Sequence, residues 1–128
     1  MSRATSMGLK EVTIRIGPDP SLLRIVRLAA SSLATDVGFT VHEIDDLVLA
    51  VDELVSALLE TAEQEVEISL RADKVSVTIR GRAPGMGAIE LGDLAKAVLD
   101  QTADLYDIEP DGDVPSFSMV KVRDSAAA

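Results

Sequence analysis

The sequence predicts a two-layer α/β sandwich, an α+β arrangement in which helices cover one face of a mixed sheet and the other face is left to solvent. Three observations carry this. The strand-like segments alternate apolar and polar residues, so each has a single apolar face. Two longer segments repeat apolar residues at helical spacing. The elements follow the order β-α-α-β-β-α-β, and no repeat or linker divides the 128 residues. One domain is therefore expected over residues 10–123, between an N-terminal tail (1–9) and a C-terminal tail (124–128).

Taken in order, "EVTIRI" sets Val12, Ile14 and Ile16 on one face and Thr13 and Arg15 on the other, a half-buried strand. "GPDPS" breaks it, and Pro20 suits the first turn of a helix. From Ser21 to about Asp36, Leu22, Ile25, Val26, Ala29 and Leu33 recur at helical spacing, with Gly38 as terminator. Thr40 followed by Glu43 has the spacing of a capping box, and Glu43, Asp45 and Asp46 lie where the helix dipole favours acids. An apolar stripe then runs through Ile44, Leu47, Val48, Val51, Leu54, Val55, Leu58, Leu59 and Ala62. "VEISLRA" and "KVSVTIR" read as a hairpin that turns near Ala72 and Asp73 and points Val66, Ile68, Leu70, Val75, Val77 and Ile79 inward. "GRAPGMG" is expected to be a loop. Leu94, Ala97, Val98 and Leu105 suggest a third helix, "IEPDGDVPS" an acidic turn, and "FSMVKV" the last strand.

Composition narrows the function. The chain is 47% hydrophobic but 2% aromatic, so its core must be built from Val, Leu, Ile and Ala. It has no cysteine, hence no disulfide and no thiolate metal site. No apolar run approaches the roughly 18 to 20 residues needed to span a bilayer, and "MSRATSMGLKEV" has no signal-like apolar stretch. A cytoplasmic location is the default expectation, with no membrane role. Net charge is −10, and the acids are clustered. Nine lie between Val41 and Glu67 and six between Asp100 and Asp113, with no Lys or Arg in either stretch. Such a surface repels phosphate backbones, which disfavours nucleic acid, and it suits a basic protein partner. Its plainer reading is a solvated surface that keeps the chain soluble.

Few residues are arranged for chemistry. "GRAPGMGA" lacks the Lys-Ser/Thr of a phosphate-binding loop. His42 is the single histidine and has no ligand companions. Asp45 and Asp46 point about 100° apart on a helix and do not share a substrate. Arg80 and Arg82 could meet a phosphate, but arginines facing water at a strand end are ordinary. The face opposite the apolar stripe, with Asp46, Leu49, Ala50, Glu53, Ala57 and Glu60, is the more informative. Asp46, Leu49, Glu53 and Glu60 are its candidate partner-binding residues.

Two segments resemble a known family. "DDLVLAVDELVSALLETA" and "VTIRGRAPG", together with the element order, are similar to the anti-sigma factors and serine-protein kinases of bacterial partner-switching systems. Those proteins carry the histidine-kinase/Hsp90-like (GHKL, Bergerat) ATP-binding fold. The resemblance covers nearly the whole chain and implies a Bergerat-like sandwich. It aligns Glu53 with the base for phosphoryl transfer and Ala57 with the asparagine that holds Mg²⁺. Gly81 falls on the aspartate that takes the adenine amino group, Ala83 on the first glycine of that motif, and Gly85 on its second. An alanine methyl cannot ligate Mg²⁺, which requires oxygen, and without its metal the site loses most of its phosphoryl-transfer rate. The resemblance thus implies a regulatory protein that binds a sigma factor or an anti-sigma antagonist, with ATP binding and kinase activity lost and Glu53 vestigial. No cofactor is expected, and ATP with Mg²⁺ would bind only through a variant site. Two alternatives stand beside this reading. One is an ATP-dependent serine-protein kinase with such a site. The other is a ligand-binding or dimerising ferredoxin-like module. The first helix and the exposed sheet face are both surfaces on which a homodimer could form.

Overall fold

The computed structural model describes residues 9–85 and 87–124. The two expected tails, apart from Leu9 and Asp124, and Met86 of the glycine-rich segment lie outside that range. The described chain runs β1 (Lys10–Ile16), a short 3-10 turn (Pro20–Leu22), α1 (Leu23–Val37), α2 (Val41–Thr61), β2 (Val66–Ala72), β3 (Ser76–Arg82), α3 (Asp93–Thr102), β4 (Leu105–Ile108) and β5 (Ser116–Val122). Five strands form one open sheet in the order β1-β2-β3-β5-β4, with three helices, giving an α+β sandwich.

The sheet is not mixed, as the sequence suggested, because every neighbouring pair is antiparallel. The reason lies in the connections. Two helices separate β1 from β2, and an up-and-down helix pair reverses the chain before it re-enters the sheet. A single helix separates β3 from β4, and those two strands do run in the same direction, but β5 inserts between them and pairs with both. β4 is the strand absent from the expected order. Leu105 begins it instead of extending the third helix, which ends at Thr102. There Asp104 N–H donates to Val120 O (3.0 Å) and its carboxylate accepts from Val122 N–H (2.6 Å), which lays the following residues along β5. Leu94 does not anchor α3 and is 80% exposed, whereas Leu99 and Thr102 are buried.

Local chemistry sets the helix ends as expected. Gly38 closes α1 at φ 91°, a left-handed conformation that glycine adopts without steric cost. The capping box of α2 is formed: Glu43 N–H donates to Thr40 Oγ1 (3.1 Å), and Glu43 Oε1 accepts from Thr40 N–H (2.8 Å). Its other oxygen accepts from Asp124 N–H at 2.6 Å, so one buried carboxylate ties the start of α2 to the chain just beyond β5. Lys121 Nζ lies 3.7 Å from Asp46 on the next turn.

The core lies between α2 and the sheet. Leu47, Val51, Leu54 and Leu58 of α2 are fully buried in one cluster with Ile68 and Leu70 of β2, Val77 and Ile79 of β3, and Phe117 and Met119 of β5. Val75 precedes β3 and is 48% exposed, so it does not join them. β3 instead runs on through Gly81 and Arg82, the first two residues of the expected loop. The opposite sheet face carries Thr13, Arg15, Glu67, Ser69, Arg71, Thr78, Arg80 and Ser118 and is open. None of the described helices is long and apolar enough to cross a membrane.

Glu43 gives a pH-dependent prediction. The Thr40 N–H holds its carboxyl below the ordinary glutamate range; burial opposes this, and the Asp124 N–H reinforces it. A lowered folded-state value stabilises the fold above the unfolded value and loses that contribution as pH falls through the folded one. Glu43→Gln should cost about 1–2 kcal/mol at neutral pH, by loss of charge-assisted capping. In urea titrations the gap to the parent protein should close as the pH is taken below the glutamate range.

Candidate functional site

The residues singled out on α2 do not converge on one cleft. Glu53 is half-buried and its side chain makes no hydrogen bond or ion pair with the described residues. Ala57, one turn on, is buried, as is Ala50 one turn before. The other flank of α2 faces α1, where Arg27 donates to Asp52 at 2.6 Å. Ala57 borders the loop after β3, near Gly87 and Ala88. Of the candidate partner-binding residues, Asp46 is drawn inward between Lys121 and His42 Nε2 (3.6 Å). Leu49 is 47% exposed, and Glu60 is exposed.

Gly81 and Ala83 lie inside the core. In register, Gly81 stands between Ile68 and Phe117 on the face turned to α2. A Cβ placed there would meet Cε2 of the Phe117 ring, with its Cζ at 2.8 Å and Leu58 Cδ2 at 2.9 Å. Glycine is required at this point because an aromatic ring from the neighbouring strand occupies the volume of any side chain. The region where the resemblance sets an adenine-binding carboxylate is thus filled by Phe117 and Leu58. Ala83 is fully buried, and its N–H donates to Pro115 O (3.0 Å), which fastens the end of β3 to the start of β5.

Gly85 lies near the C-terminal end of α2; a Cβ there would be 3.8 Å from Thr61 O. The loop beyond it folds against the same helix end. Thr61 Oγ1 lies 3.0 Å from Ala57 O and 3.2 Å from Ala88 O, and its one proton serves either. Gly87 sits so close that a Cβ would be 3.0 Å from the Thr61 methyl. A shallow groove of about 370 Å³ remains there, lined by Ala57, Glu60, Thr61, Glu63, Gly87, Ala88 and Glu90. Three of these are glutamates and none is basic, so the groove repels phosphates. Glu53 does not line it. Thr61 and Phe117, which decide this geometry, escaped the sequence reading. Their importance lies in what they touch, which no local pattern reports.

A second concavity of about 300 Å³ opens on the uncovered sheet face, with Arg80 and Arg82 on β3, Ser116 and Ser118 on β5, and Asp107, Glu109 and Asp111 at and beyond the end of β4. The sequence reading took these two arginines for ordinary solvent-facing residues; the sheet sets them side by side in a hollow. Among the described residues, no cluster of three His, Asp or Glu side chains is arranged to hold a metal ion.

Comparison with protein-family models and with curated proteins gave no match to this chain.

Replacing Gly81 tests how tightly the helix–sheet space is filled. Gly81→Ala should destabilise the fold by about 1–3 kcal/mol through overpacking. Gly81→Asp should cost more, since it also buries an unpaired carboxylate. Equilibrium denaturation measures both, and a neutral Gly81→Ala would mean that Phe117 yields freely.

Proposed function

We propose that this chain is a regulatory protein of the anti-sigma type, acting by protein–protein binding on a Bergerat-like scaffold that no longer takes ATP. The observation that carries this reading is the packing of Phe117 and Leu58 against Gly81, because it leaves no room for a side chain at the position that the resemblance gives to the adenine-binding carboxylate. The acidic groove beside Ala57 agrees with it, since its three glutamates repel a triphosphate, no basic side chain lines it, and no three acids or His among the described residues are grouped to hold a metal ion. Glu53 keeps the identity of a catalytic base but has no magnesium ligand at Ala57 to work with.

The partner is a protein with a basic docking surface, a sigma factor or an anti-sigma antagonist by resemblance, met in the cytoplasm. The stretch of α2 and the turn after it supports this, because Asp45, Glu53, Glu60, Glu63 and Glu65 reach its surface without a salt-bridge partner among the described residues and no Lys or Arg lies between them in the chain. Charge complementarity of that kind speeds encounter and fades with salt. A split βαβ unit holds an antiparallel strand between its two parallel ones; β3, α3 and β4 form one around β5, but β1 and β2 pair directly and antiparallel, so the second such unit of ferredoxin-like layering is lacking among the described strands.

Calorimetric titration with Mg-ATP should give no saturable heat, and Glu53→Ala should change nothing. Affinity capture from the native cytosol should recover a basic protein whose retention falls with salt and with Glu60→Lys. Micromolar Mg-ATP binding that disappears in Glu53→Ala would overturn the reading.

A further inference from the structure

The open face of the sheet holds charges that the fold leaves unmatched. Among its outward arginines, Arg15 pairs with Glu67 at 3.1 Å and Arg71 with Glu11 at 3.8 Å. Arg80 and Arg82 pair with nothing among the described residues, although the chain carries 22 acids to 12 bases. Asp107, Glu109 and Asp111 line the same hollow and their carboxylates are equally without partners there.

Strand register explains why they do not neutralise one another. Arg80 on β3 stands opposite Ser118 on β5, and Ser118 stands opposite Asp107 on β4. Arg82 stands opposite Ser116 in the next outward row, and Glu109 follows directly after β4. With strands about 4.8 Å apart, the arginine and acid backbones are separated by roughly 10 Å across a floor of serines. The result is a trough with a guanidinium wall, a hydroxyl floor and a carboxylate wall. At about 300 Å³ it lies at the small end of ligand sites. A phosphate or a simple carboxylate would meet the acidic wall, and a simple amine would meet the arginines. Only a ligand with both charges satisfies both walls.

We propose that this trough binds a small zwitterion of the amino-acid class, its carboxylate on Arg80 and Arg82, its ammonium toward Asp107 and Glu109, and its polar atoms over Ser116 and Ser118. Glu67 is occupied by Arg15, so three free carboxylates face two guanidiniums and the trough carries one excess negative charge. Basic amino acids bind best for that reason, and acidic ones least. The site lies on the opposite layer from the α2 surface, so it is independent of the partner-binding reading.

The test is a titration of the isotopically labelled full chain with L-lysine, followed by amide NMR shifts. Cadaverine, which lacks the carboxylate, Nα-acetyl-lysine, which lacks the α-ammonium, and L-glutamate are the comparison probes. L-Lysine should saturate with a Kd on the order of millimolar or tighter, moving amides of β3 and β5 around Arg80 and Ser118. Each comparison probe should bind at least about tenfold more weakly, a loss of 1.4 kcal/mol. In the Arg80→Gln/Arg82→Gln protein, lysine should fall to the level of cadaverine, and in Asp107→Asn to that of Nα-acetyl-lysine. All three positions are solvent-exposed, and the melting temperature of each variant confirms that the fold is kept. Cadaverine or Nα-acetyl-lysine binding as tightly as lysine, or shifts that never saturate, would overturn the proposal.

Discussion

The contact that organises this molecule is the meeting of Gly81, Phe117 and Leu58, where β3, β5 and α2 come together. With 2% aromatic residues, the protein has few large rings to fill the space between its layers, and it uses one of them here. The ring can lie this close to the neighbouring strand only because position 81 has no side chain. The close approach lets α2 settle on the sheet along its whole apolar stripe, and burial of each of those leucines contributes about 1.5–3 kcal/mol.

From that contact the polar ends of the structure follow. α2 is fixed at its start by Glu43, which serves its own capping box and the backbone at Asp124, and at its end by Thr61, which meets the loop after β3. The loop therefore lies against the helix terminus, and the groove left beside it is edged by glutamates. One layer thus presents an acidic helix surface. The other presents a sheet face whose opposite charges are held apart by a row of serines.

The legibility of these features in the sequence follows their physical range. Alternation in "VEISLRA" assigned the inward residues of β2 correctly, because a strand's faces are set by a period of two, whatever lies across from it. The same rule misplaced Val75 and stopped short of Gly81, since a glycine and two loop-like neighbours carry no alternation signal. β4 was lost to the third helix because Leu105 continues an apolar spacing, while the bonds that make it a strand come from β5. Among the candidate site residues, Ala57 and Gly85 do lie near one helix end, but Gly81 and Ala83 are core. Neither their composition nor their spacing distinguishes a residue facing a ligand from one facing a ring.

What the amino-acid order determined unaided were the features built from neighbours in the chain: the capping box of α2, the glycine stop of α1, the stripe that makes α2 amphipathic and the acidity of its exposed side. These depend on torsions and on hydrogen bonds a few residues long, so the local sequence specifies them. The antiparallel sheet, the filling of position 81 by Phe117, the loop held at Thr61 and the trough between Arg80 and Asp107 were decided only in three dimensions. Each requires segments distant in the chain to be brought within a few ångströms, and that is the work of the packed core.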